Sequence, residues 1–319
     1  MTTMHKAIFC GRLEFGNERT FEQAQKMFDH WRENHYRGLI LFKGEDVFSA
    51  EQMSLDIPRL IAQSNDRQWL NTVNLLRQVS EYAIAGDVSA WLSETGHILK
   101  YAVIEPEGDK TATQSYLQGR KLVSVEGKEA EAQAALSRAI EKFERHALAY
   151  ERRGYVNYRL RNYKDALYDY TKSININNSL PNPYYGRALV CIAQNDFESA
   201  VVDLDYTIEK AIALQPIYWT ARRLKAECLI NMGKLADAAK ELRLFTSRKF
   251  LKEDPNFAWR RKATYQYAKC LIAVGQKDDA LKALQQAAAL PQGEGKISNE
   301  DIQELIDQLP LGKKAAAVA

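Results

Sequence analysis

Histidines and cysteines are the residues of this chain whose chemistry could support catalysis or metal binding, and their spacing favours neither. His30 and His35 are five residues apart, whereas two ligands on one face of a helix need a spacing of four. Cys10 and His97 could be a nucleophile and its base on neighbouring strands, but a lone cysteine and a distant histidine are far more often packing and surface residues. The sequence contains no CxxC, HExxH, GxSxG or P-loop motif. It therefore predicts a protein that is not an enzyme, with no catalytic residue, metal site or cofactor.

Basic residues are concentrated in the second part of the chain. Residues 1–112 contain 12 Lys and Arg against 16 Asp and Glu, a net charge of −4, and the remainder carries +7. Such clusters favour an acidic partner through long-range attraction, although a charged run can also be an ordinary solvated face. The sequence leaves both interpretations open. The clusters are Arg152, Arg153, Arg159, Arg161 and Lys164, then Arg222, Arg223 and Lys225, then Arg260, Arg261 and Lys262.

The composition is typical of a folded protein of the cytoplasm. Hydrophobic residues make up 46% and charged residues 27% of the 319 positions. No run approaches the roughly 18 apolar residues that span a bilayer, and the apolar run near the start is too short for a secretory signal. Cys191, Cys228 and Cys270 have apolar neighbours, so we expect buried, reduced thiols there and a strand around Cys10. A membrane partner is not predicted.

The sequence repeats from residue 113 to about residue 290. A small residue recurs at Ala132, Ala166, Ala200, Ala238 and Ala280. The first three of these alanines are 34 residues apart, and the next intervals of 38 and 42 indicate short insertions. A period of this size is typical of stacked two-helix units, which usually form binding surfaces. Four residues after each alanine comes a large side chain: Leu136, Tyr170, Leu204, Leu242 and Leu284.

The clearest unit has predicted helices over Ala147–Leu160 and Lys164–Ile176. Gly154 and Ala166 are expected where these helices cross, because a bulky side chain there would separate their axes. This pattern resembles the tetratricopeptide repeat (TPR) family, whose 34-residue unit has a small residue midway along its first helix, helix A. Helix B of that family has an early Ala and then an aromatic residue or Leu four positions later. The resemblance covers residues 113–290 and implies a mainly α fold, an α–α superhelix of five units.

Two positions depart from the repeat pattern. The turns between paired helices have Gly or Asn, which tolerate left-handed backbone, five residues before the alanine. Arg161 holds this position in the second unit, which suggests a differently built turn. Arg120 stands where other units have a small helix A residue, so the first unit is expected to be a modified cap against the preceding domain. A capping helix is predicted over residues 297–309, begun by Ser298 or Asn299, and a frayed tail over residues 310–319.

The TPR resemblance also implies a ligand groove lined by helix A. Tyrosines offer a large contact area there, and Lys and Arg suit an acidic peptide. The exposed helix A positions of the family, carried onto this sequence, give a partner-binding set of Lys121, Tyr155, Arg159, Tyr185, Arg223, Tyr265 and Lys269. The Lys/Asn/Asn/Lys/Arg clamp with which TPR co-chaperones hold heat-shock chaperones is missing. The clamp positions that we compared hold Leu117, Lys121, Arg152, Asn182 and Gly186.

Residues 1–106 show strands alternating with helices, which indicates a small α/β domain whose sheet is covered by helices. We identify no family for this domain. Residues 107–112 are the predicted linker. The predicted elements are a strand over His5–Glu14, a helix over Phe21–His35 capped by Thr20, a buried strand over Arg37–Phe42, a helix from Ser49 or Ala50 to about Ala62 interrupted by Pro58, a helix over Arg67–Ala85 and a strand over His97–Glu105.

Together these features predict a cytoplasmic adaptor or scaffold. Its groove would bind a protein or peptide segment, possibly an acidic one, while the N-terminal domain binds a second partner or a second copy of the chain. The sequence leaves open a homo-oligomer or a larger complex. Three alternatives remain: a structural subunit of an assembly, an RNA-binding protein that uses the basic clusters and tyrosines, and an enzyme seated in the N-terminal domain.

Overall fold

Five antiparallel strands form the N-terminal sheet: β1 (His5–Glu14), β2 (Phe48–Ser49), β3 (Ser54–Ser64), β4 (Ala85–Glu94) and β5 (His97–Ile104). Their order across the sheet is β2-β3-β1-β4-β5, so β1 is central. Because successive side chains of a strand point to opposite faces, Ala7, Phe9 and Leu13 of β1 are all directed into one core, where they are fully buried. The structure describes residues 3–309.

Helices cover one face of this sheet. They are α1 (Glu18–His30), the short α2 (Gly44–Val47) and α3 (Asp66–Ser80), and a π-helical turn over Trp31–His35 follows α1. Apolar residues of α1 and α3, among them Phe28, Trp69 and Leu76, join the core beneath the sheet. The strand predicted over His5–Glu14 is confirmed. The helix predicted over Arg67–Ala85 is confirmed as Asp66–Ser80, and the strand predicted over His97–Glu105 as His97–Ile104.

The helix predicted from Ser49 or Ala50 to Ala62 is wrong, because that segment contains β3. Pro58 lies in a bulge, where the register passes from Leu60 opposite Phe9 to Ile57 opposite Gly11. On the opposite side from β1, β3 pairs with β2 only at Ser54 and Leu55. No strand of residues 3–309 lies beside Pro58 on that side, so its lack of a backbone N–H costs no hydrogen bond between strands. The sequence analysis interpreted Pro58 as interrupting a helix, but it lies in a strand that has a neighbouring strand on only one side at this point.

Other element predictions in this region also need correction. Arg37–Phe42 is irregular backbone and not a strand, held by α3 through Leu41 N–H, which donates to Thr72 Oγ1 at 3.3 Å. The helix predicted to start after Thr20 begins at Glu18, with Asn17 as its N-cap. The strand Ala85–Glu94 was missed, although Val88, Ala90 and Leu92 alternate along it as buried residues.

Within residues 3–309, five helix pairs and a final helix follow the sheet. In every pair the alanine that marks the predicted repeat is fully buried, which confirms the register. The pairs are α4 (Thr111–Val123) with α5 (Glu129–Lys142), α6 (Ala147–Arg159) with α7 (Tyr163–Ile176), α8 (Pro181–Ala193) with α9 (Phe197–Lys210), α10 (Pro216–Asn231) with α11 (Leu235–Ser247), and α12 (Arg260–Ala273) with α13 (Lys277–Ala289).

The turns inside the pairs share one left-handed position. Gly127, Asn195, Gly233 and Gly275 have positive φ there, as their residue types suggested. Arg161 adopts the same conformation, with φ 61°, so the expectation of a different turn in the second pair is wrong. The second pair makes the common turn with a residue that carries a Cβ, at a steric cost that glycine would avoid.

The small residue of the first pair is Gly119, one position before the aligned Arg120. A Cβ on Gly119 would lie 2.6 Å from Leu136 Cγ, so this is the close approach between α4 and α5. The turn after α4 is longer than its counterpart after α6, because α5 begins six residues after the end of α4 and α7 four residues after the end of α6. The longer turn shifts the register of α4 and releases Arg120 to bind Glu105.

The described residues divide into two compact units, one ending at Gly186 and the other beginning at Arg187. The sheet and the first two helix pairs belong to the same unit. Lys110 Nζ, in the predicted linker, donates to the carbonyls of Tyr82 and Ala83 at 2.8 Å, and Thr113 Oγ1 donates to Ile84 O at 3.0 Å. A domain boundary at residues 107–112 therefore stays a prediction.

The last helix, α14 (Asn299–Asp307), covers the end of the fifth pair as predicted. Ser298 is its N-cap and forms a capping box with Asp301. Ile302 is buried against the α12–α13 pair, with Leu305 and Ile306 packed beside it. The predicted tail, residues 310–319, lies outside the described residues. Among residues 3–309 we find no helix that is both long and apolar enough to span a membrane.

Candidate partner-binding site

Most cations of the predicted basic clusters are used inside the fold. In the compact unit that ends at Gly186, Arg152 pairs with Glu151, Arg153 with Asp169 and Arg159 with Glu129. In the compact unit that begins at Arg187, four cations form ion pairs: Arg222 with Glu241, Arg223 with Glu227, Lys225 with Asp205 and Glu241, and Lys262 with Glu227. Arg261 instead donates hydrogen bonds to the carbonyls of Ile297 and Leu290. These charges orient helices, whereas Arg161, Lys164 and Arg260 form no ion pair with a carboxylate among residues 3–309, and Arg161 and Lys164 are exposed.

Two members of the predicted partner-binding set hold helices together. Arg159 donates to Val123 O at 3.0 Å and to Glu129 at 3.1 Å, which joins α6 to the first pair. Arg223 is buried, donates to Glu227 Oε1 at 3.2 Å and has its guanidinium carbon 3.8 Å from the ring centroid of Trp259. Sequence reasoning placed both residues on the right helices but did not foresee their internal contacts.

The other members of the set differ in exposure. Lys121 on α4 and Lys269 on α12 are exposed, and Tyr155 on α6 is 37% exposed. Tyr185 on α8 is half-buried. Tyr265 packs against the apolar cluster that includes Ile302 of α14. The Lys269 Nζ lies 5.9 Å from the centroid of the Tyr265 ring. Lys269 and Tyr265 are thus brought together, while Lys121 and Tyr155 are the exposed members in the first unit.

The compact unit that begins at Arg187 contains a cleft lined by three cations, which the sequence did not predict as a group. The cleft has a volume of about 480 Å³ and lies between the C-terminal ends of α11 and α13 and the start of α12. Arg248, Lys249 and Arg260 line it, with Phe250 and Leu290 as apolar walls. Within the described part of the chain none of the three cations forms an ion pair with a carboxylate. The spacing of 12 residues between Arg248 and Arg260 gave no signal in the sequence.

The cleft remains positive after the helix ends are counted. The C-terminal end of a helix carries roughly half a negative charge, so the ends of α11 and α13 offset about one of the three positive charges, and the N-terminal end of α12 adds about half a positive charge. Arg260 stacks on Phe257, with 3.6 Å from the guanidinium carbon to the ring centroid, and burial lowers its pKa. The cleft can therefore accept an anionic group beside an apolar one, and two guanidinium forks suit a carboxylate.

A second charged cluster lies where the sheet meets the first two helix pairs. Arg120 binds Glu105 through both its terminal nitrogens, and the ring of Tyr116 lies beside the guanidinium. Asp87 of β4 faces this cluster; burial and the neighbouring Glu105 raise its pKa to about 6, against the opposing effect of Arg152 and Arg120. These groups join the sheet to α4 and α6, so the first pair is attached to the N-terminal domain, as the sequence suggested.

The residues considered for chemistry are not assembled into a reactive site. Cys10 pairs with Ser89 in the sheet, whereas His97 pairs with Glu94 at the far end of β4, so the two do not meet as nucleophile and base. Burial raises the pKa of the Cys10 thiol to about 11, which disfavours the thiolate. Among residues 3–309 no group of three His, Cys, Asp or Glu side chains could hold a metal ion. Cys191, Cys228 and Cys270 are buried free thiols, as predicted.

Comparison with known families agrees with this geometry. A family model described as tetratricopeptide repeat matches residues 126–177, which include α5, α6 and α7. The chain contains tetratricopeptide repeats. Arrays of such repeats are interaction modules as a class, because stacked helix pairs present extended surfaces. No curated protein matches the chain in sequence.

Several solved structures are similar to this chain at low sequence identity. YrrB, described as a TPR protein with an unusual peptide-binding site, is 20% identical, with 62% of this chain and 94% of that chain covered and a TM-score of 0.48. PilF of Pseudomonas aeruginosa is 15% identical, with 62% and 86% covered and a TM-score of 0.49. The first TPR of Spaghetti (RPAP3), bound to an HSP90 peptide, is 19% identical, with 40% and 96% covered and a TM-score of 0.36. At these values no ligand is inferred from the similarity.

Proposed function

We propose that this protein is a cytoplasmic interaction scaffold whose tetratricopeptide repeats bind a segment of a partner protein. The observation that carries the proposal is that the helix pairs bury their small residues and leave Lys121, Tyr155 and Lys269 of helix A exposed. A half-exposed tyrosine offers contact area at low entropic cost, and a lysine beside it adds attraction for a carboxylate. Arg159, Tyr185, Arg223 and Tyr265 complete the proposed set, with the two arginines acting by holding their helices in place.

The acidic character of the partner is the second part of the proposal. The cleft lined by Arg248, Lys249 and Arg260 supports it, because these cations keep about two to three positive charges that no carboxylate of the described residues neutralises. An acidic segment with one apolar side chain matches the cations and the walls formed by Phe250 and Leu290. The exposed helix A residues and this cleft are formed by different side chains, and each needs its own test.

Photo-crosslinking tests the helix A face. A photoreactive phenylalanine analogue replaces Tyr155, the protein is irradiated in native extract, and crosslinked peptides are identified by mass spectrometry. The matched control carries the analogue at Tyr168, a tyrosine of α7 that is 55% exposed on helix B. We expect crosslinks to one defined segment from position 155 and none to that segment from position 168. Crosslinks from 168 alone would place the partner on the helix B face and contradict the proposal.

A peptide titration tests the acidic cleft. A fluorescent peptide of eight glutamates is titrated with the protein, and a peptide of eight glutamines is the control ligand. Lys249→Glu should weaken glutamate binding about tenfold or more, because reversal removes an attraction and adds a repulsion. Lys252→Glu, a reversal at an exposed lysine of the same loop that does not line the cleft, should leave affinity within twofold. Equal affinity for both peptides, or equal loss in both variants, would refute the acidic cleft.

RNA binding remains the alternative from a different class. Its support was the three basic clusters, and ion pairs with carboxylates occupy most of their cations. A protein that binds phosphates loses affinity steeply with salt, with a slope close to the number of phosphate contacts. A single-stranded oligonucleotide in the same titration at two salt concentrations separates the two classes. A structural subunit of a larger assembly would use the same repeats without a detachable peptide ligand.

A further inference from the structure

Two arginines of the cleft between α11, α12 and α13 are held by aromatic rings and not by carboxylates. The guanidinium carbon of Arg248 lies 5.6 Å from the ring centroid of Trp219, and that of Arg260 lies 3.6 Å from the ring centroid of Phe257. An aromatic ring orients the plane of a guanidinium without neutralising its charge. The positive charge of both arginines is therefore left for a ligand.

The ring beside Arg248 belongs to a packed aromatic group. The indole N–H of Trp219 donates to Ala213 O at 2.8 Å, and the ring meets that of Phe250 edge-on, with 5.8 Å between the centroids. The ring of Phe250 lies 4.9 Å from that of Phe245, and both phenylalanines are buried. One wall of the cleft is thus fixed in place before a ligand arrives, with a cation on an apolar support.

The hydrogen-bond donors that remain in the cleft are mainly cationic. Arg260 Nε donates to Phe257 O at 3.1 Å, whereas its two terminal nitrogens donate to no residue of the described chain. The hydroxyl groups of Thr246, Ser247 and Thr264 donate to carbonyls of their own helices, at 2.9, 3.0 and 2.8 Å. The cleft therefore recognises a ligand chiefly through its negative charge.

The charge of the cleft exceeds that of a single carboxylate. Arg248, Lys249 and Arg260 supply three positive charges, from which the helix ends of α11 and α13 remove about one and to which the start of α12 adds about half. One carboxylate would leave roughly 1.5 positive charges, whereas a phosphate monoester, with about −1.5 to −2 at pH 7, would leave roughly 0.5 to 1. Its three terminal oxygens can each accept from one of the three cations.

We infer that this cleft binds a phosphorylated serine or threonine of the partner segment, with a neighbouring apolar side chain against Phe250 and Leu290. The inference rests on the proposed function, because it specifies the acidic group of the segment that the repeats bind. The volume of about 480 Å³ lies within the range of roughly 300–1,000 Å³ of sites that enclose a whole small ligand, so a phosphate and an adjacent side chain have room. Phosphorylation of the partner would then switch binding on.

A nucleic acid matches the cleft less well than a phosphorylated side chain. Each phosphodiester carries one negative charge, and successive phosphates need a row of cations along the protein. Cations that could extend such a row within this unit are already paired: Arg222 and Lys225 bind Glu241, and Lys262 binds Glu227. The cleft therefore favours one dianion over a chain of phosphates.

Binding of peptide libraries to the full chain tests the inference. Three fluorescent nine-residue libraries have phosphoserine, glutamate or serine fixed at the centre and degenerate residues around it. We expect the phosphoserine library to bind about tenfold tighter than the serine library and about threefold tighter than the glutamate library, with apolar residues enriched beside phosphoserine. Equal affinity for phosphoserine and glutamate would overturn the inference and leave the acidic cleft standing. No binding of either library would overturn both.

The pH dependence of binding separates a phosphate from a carboxylate. The second pKa of a phosphate monoester is about 6, so affinity for the phosphoserine library should fall between pH 7 and pH 5.5. Glutamate, with a pKa of about 4.3, stays ionised over this range, so the glutamate library should lose less affinity. Circular dichroism at both pH values checks that the chain stays folded. Equal losses for the two libraries would contradict recognition of the dianion.

Substitutions locate the phosphoserine site. Arg248→Gln removes one of the three charges and should weaken phosphoserine binding about fivefold or more. Arg243→Gln, at an exposed arginine of α11 that does not line the cleft, should leave affinity within twofold. If Arg248→Gln alters the circular dichroism spectrum, Lys249→Gln, at an exposed lysine of the cleft, gives the same test. Unchanged affinity in the folded cleft variants would overturn the proposal. So would displacement of the phosphoserine library by a stoichiometric amount of oligouridine, which would identify a nucleic-acid site.

Discussion

The guanidinium of Arg153 binds the carboxylate of Asp169 as a fork, with Nε and Nη2 donating to its two oxygens at 3.0 and 2.7 Å. One repeat later Arg187 binds Asp203 in the same way, at 2.8 and 2.7 Å. Each bond joins helix A of a pair to helix B of the same pair. Both carboxylates are buried, and in the second pair Asn157 Nδ2 also donates to Asp169, at 3.0 Å.

The fourth pair repeats this contact with other residues of the same charge. Lys225 and Glu241 stand at the corresponding positions, and the Lys225 Nζ donates to Glu241 Oε1 at 2.8 Å. The first pair has Gly119 and Ala135 there, and the fifth has Tyr267 and Ala283. The three inner pairs therefore share an ion pair that both terminal pairs replace. The 16-residue spacing of these charges could have been found in the sequence at the repeat period, but the basic residues were interpreted as surface.

Removing one partner of this ion pair should destabilise the fold more than removing both. Arg153→Met leaves Asp169 buried without its main counter-charge, which typically costs about 3–5 kcal/mol in the free energy of unfolding. Arg153→Met with Asp169→Leu should recover most of that loss, because no unpaired charge remains. Urea denaturation measures both, and Arg138→Met, at an exposed arginine of α5, is the control. A double variant as unstable as the single one would show that the fork itself stabilises the pair.

His146 makes the stability of the second pair depend on pH. It is fully buried, its Nδ1 accepts the Ala149 N–H at 3.3 Å, and burial lowers its pKa to about 3. The unfolded chain binds the proton near pH 6.5, so folding stability is complete above that pH and declines below it. A single such group costs about 1.4 kcal/mol per pH unit between its two pKa values.

His146→Asn isolates this effect, because asparagine can accept the same capping bond and does not titrate. Urea denaturation at pH 7, 6 and 5 should show the histidine form losing stability relative to the asparagine form as the pH falls. The difference between the two forms is the quantity to follow, because the raised pKa of Asp87 changes stability in the opposite direction over part of this range. A difference that does not vary with pH would mean that His146 is protonated or solvated in the folded state.

Arg161 offers a site where a single substitution should stabilise the repeats. Its backbone has φ 61°, a conformation that costs a residue with a Cβ about 1 kcal/mol relative to glycine. Arg161→Gly should therefore raise the melting temperature of the chain. Arg161→Ala keeps the Cβ and should not, which separates backbone relief from the loss of an exposed charge. Equal melting temperatures for the glycine and alanine variants would indicate that the turn is not strained.

The repeat could be predicted from the sequence because its signal is local and recurs five times. Ala166 and Tyr170 are buried for the same reason as Ala200 and Leu204, so each unit supports the interpretation of the others. In the first repeat the alignment is wrong by one residue before the turn. The longer turn places Gly119 at the helix A position that the alignment assigned to Arg120. Turn length is not visible in residue types, and only the contact of Gly119 with Leu136 reveals it.

The sheet was harder to predict because its signals are contextual. Pro58 indicates a break in a helix or an open strand edge, and only the short length of β2 decides between them. The partner-binding set shows the same limit, since helix A periodicity places Arg223 and Lys269 alike. The two residues differ because only Arg223 contacts Trp259 and Glu227. Trp259 is distant from Arg223 in sequence, and Glu227 is one turn further along the same helix.

Charge reversal of these two residues should therefore have different consequences. Arg223→Glu would place a carboxylate in a buried position beside Glu227, with the loss of the stacking on Trp259, and should lower the free energy of unfolding by several kcal/mol. Lys269→Glu changes an exposed side chain and should alter stability by no more than about 0.5 kcal/mol. Thermal and urea denaturation of both variants measure this contrast. If Arg223→Glu melts like the parent protein, the side chain is free to turn outward, and Arg223 returns to the helix A surface beside Lys269.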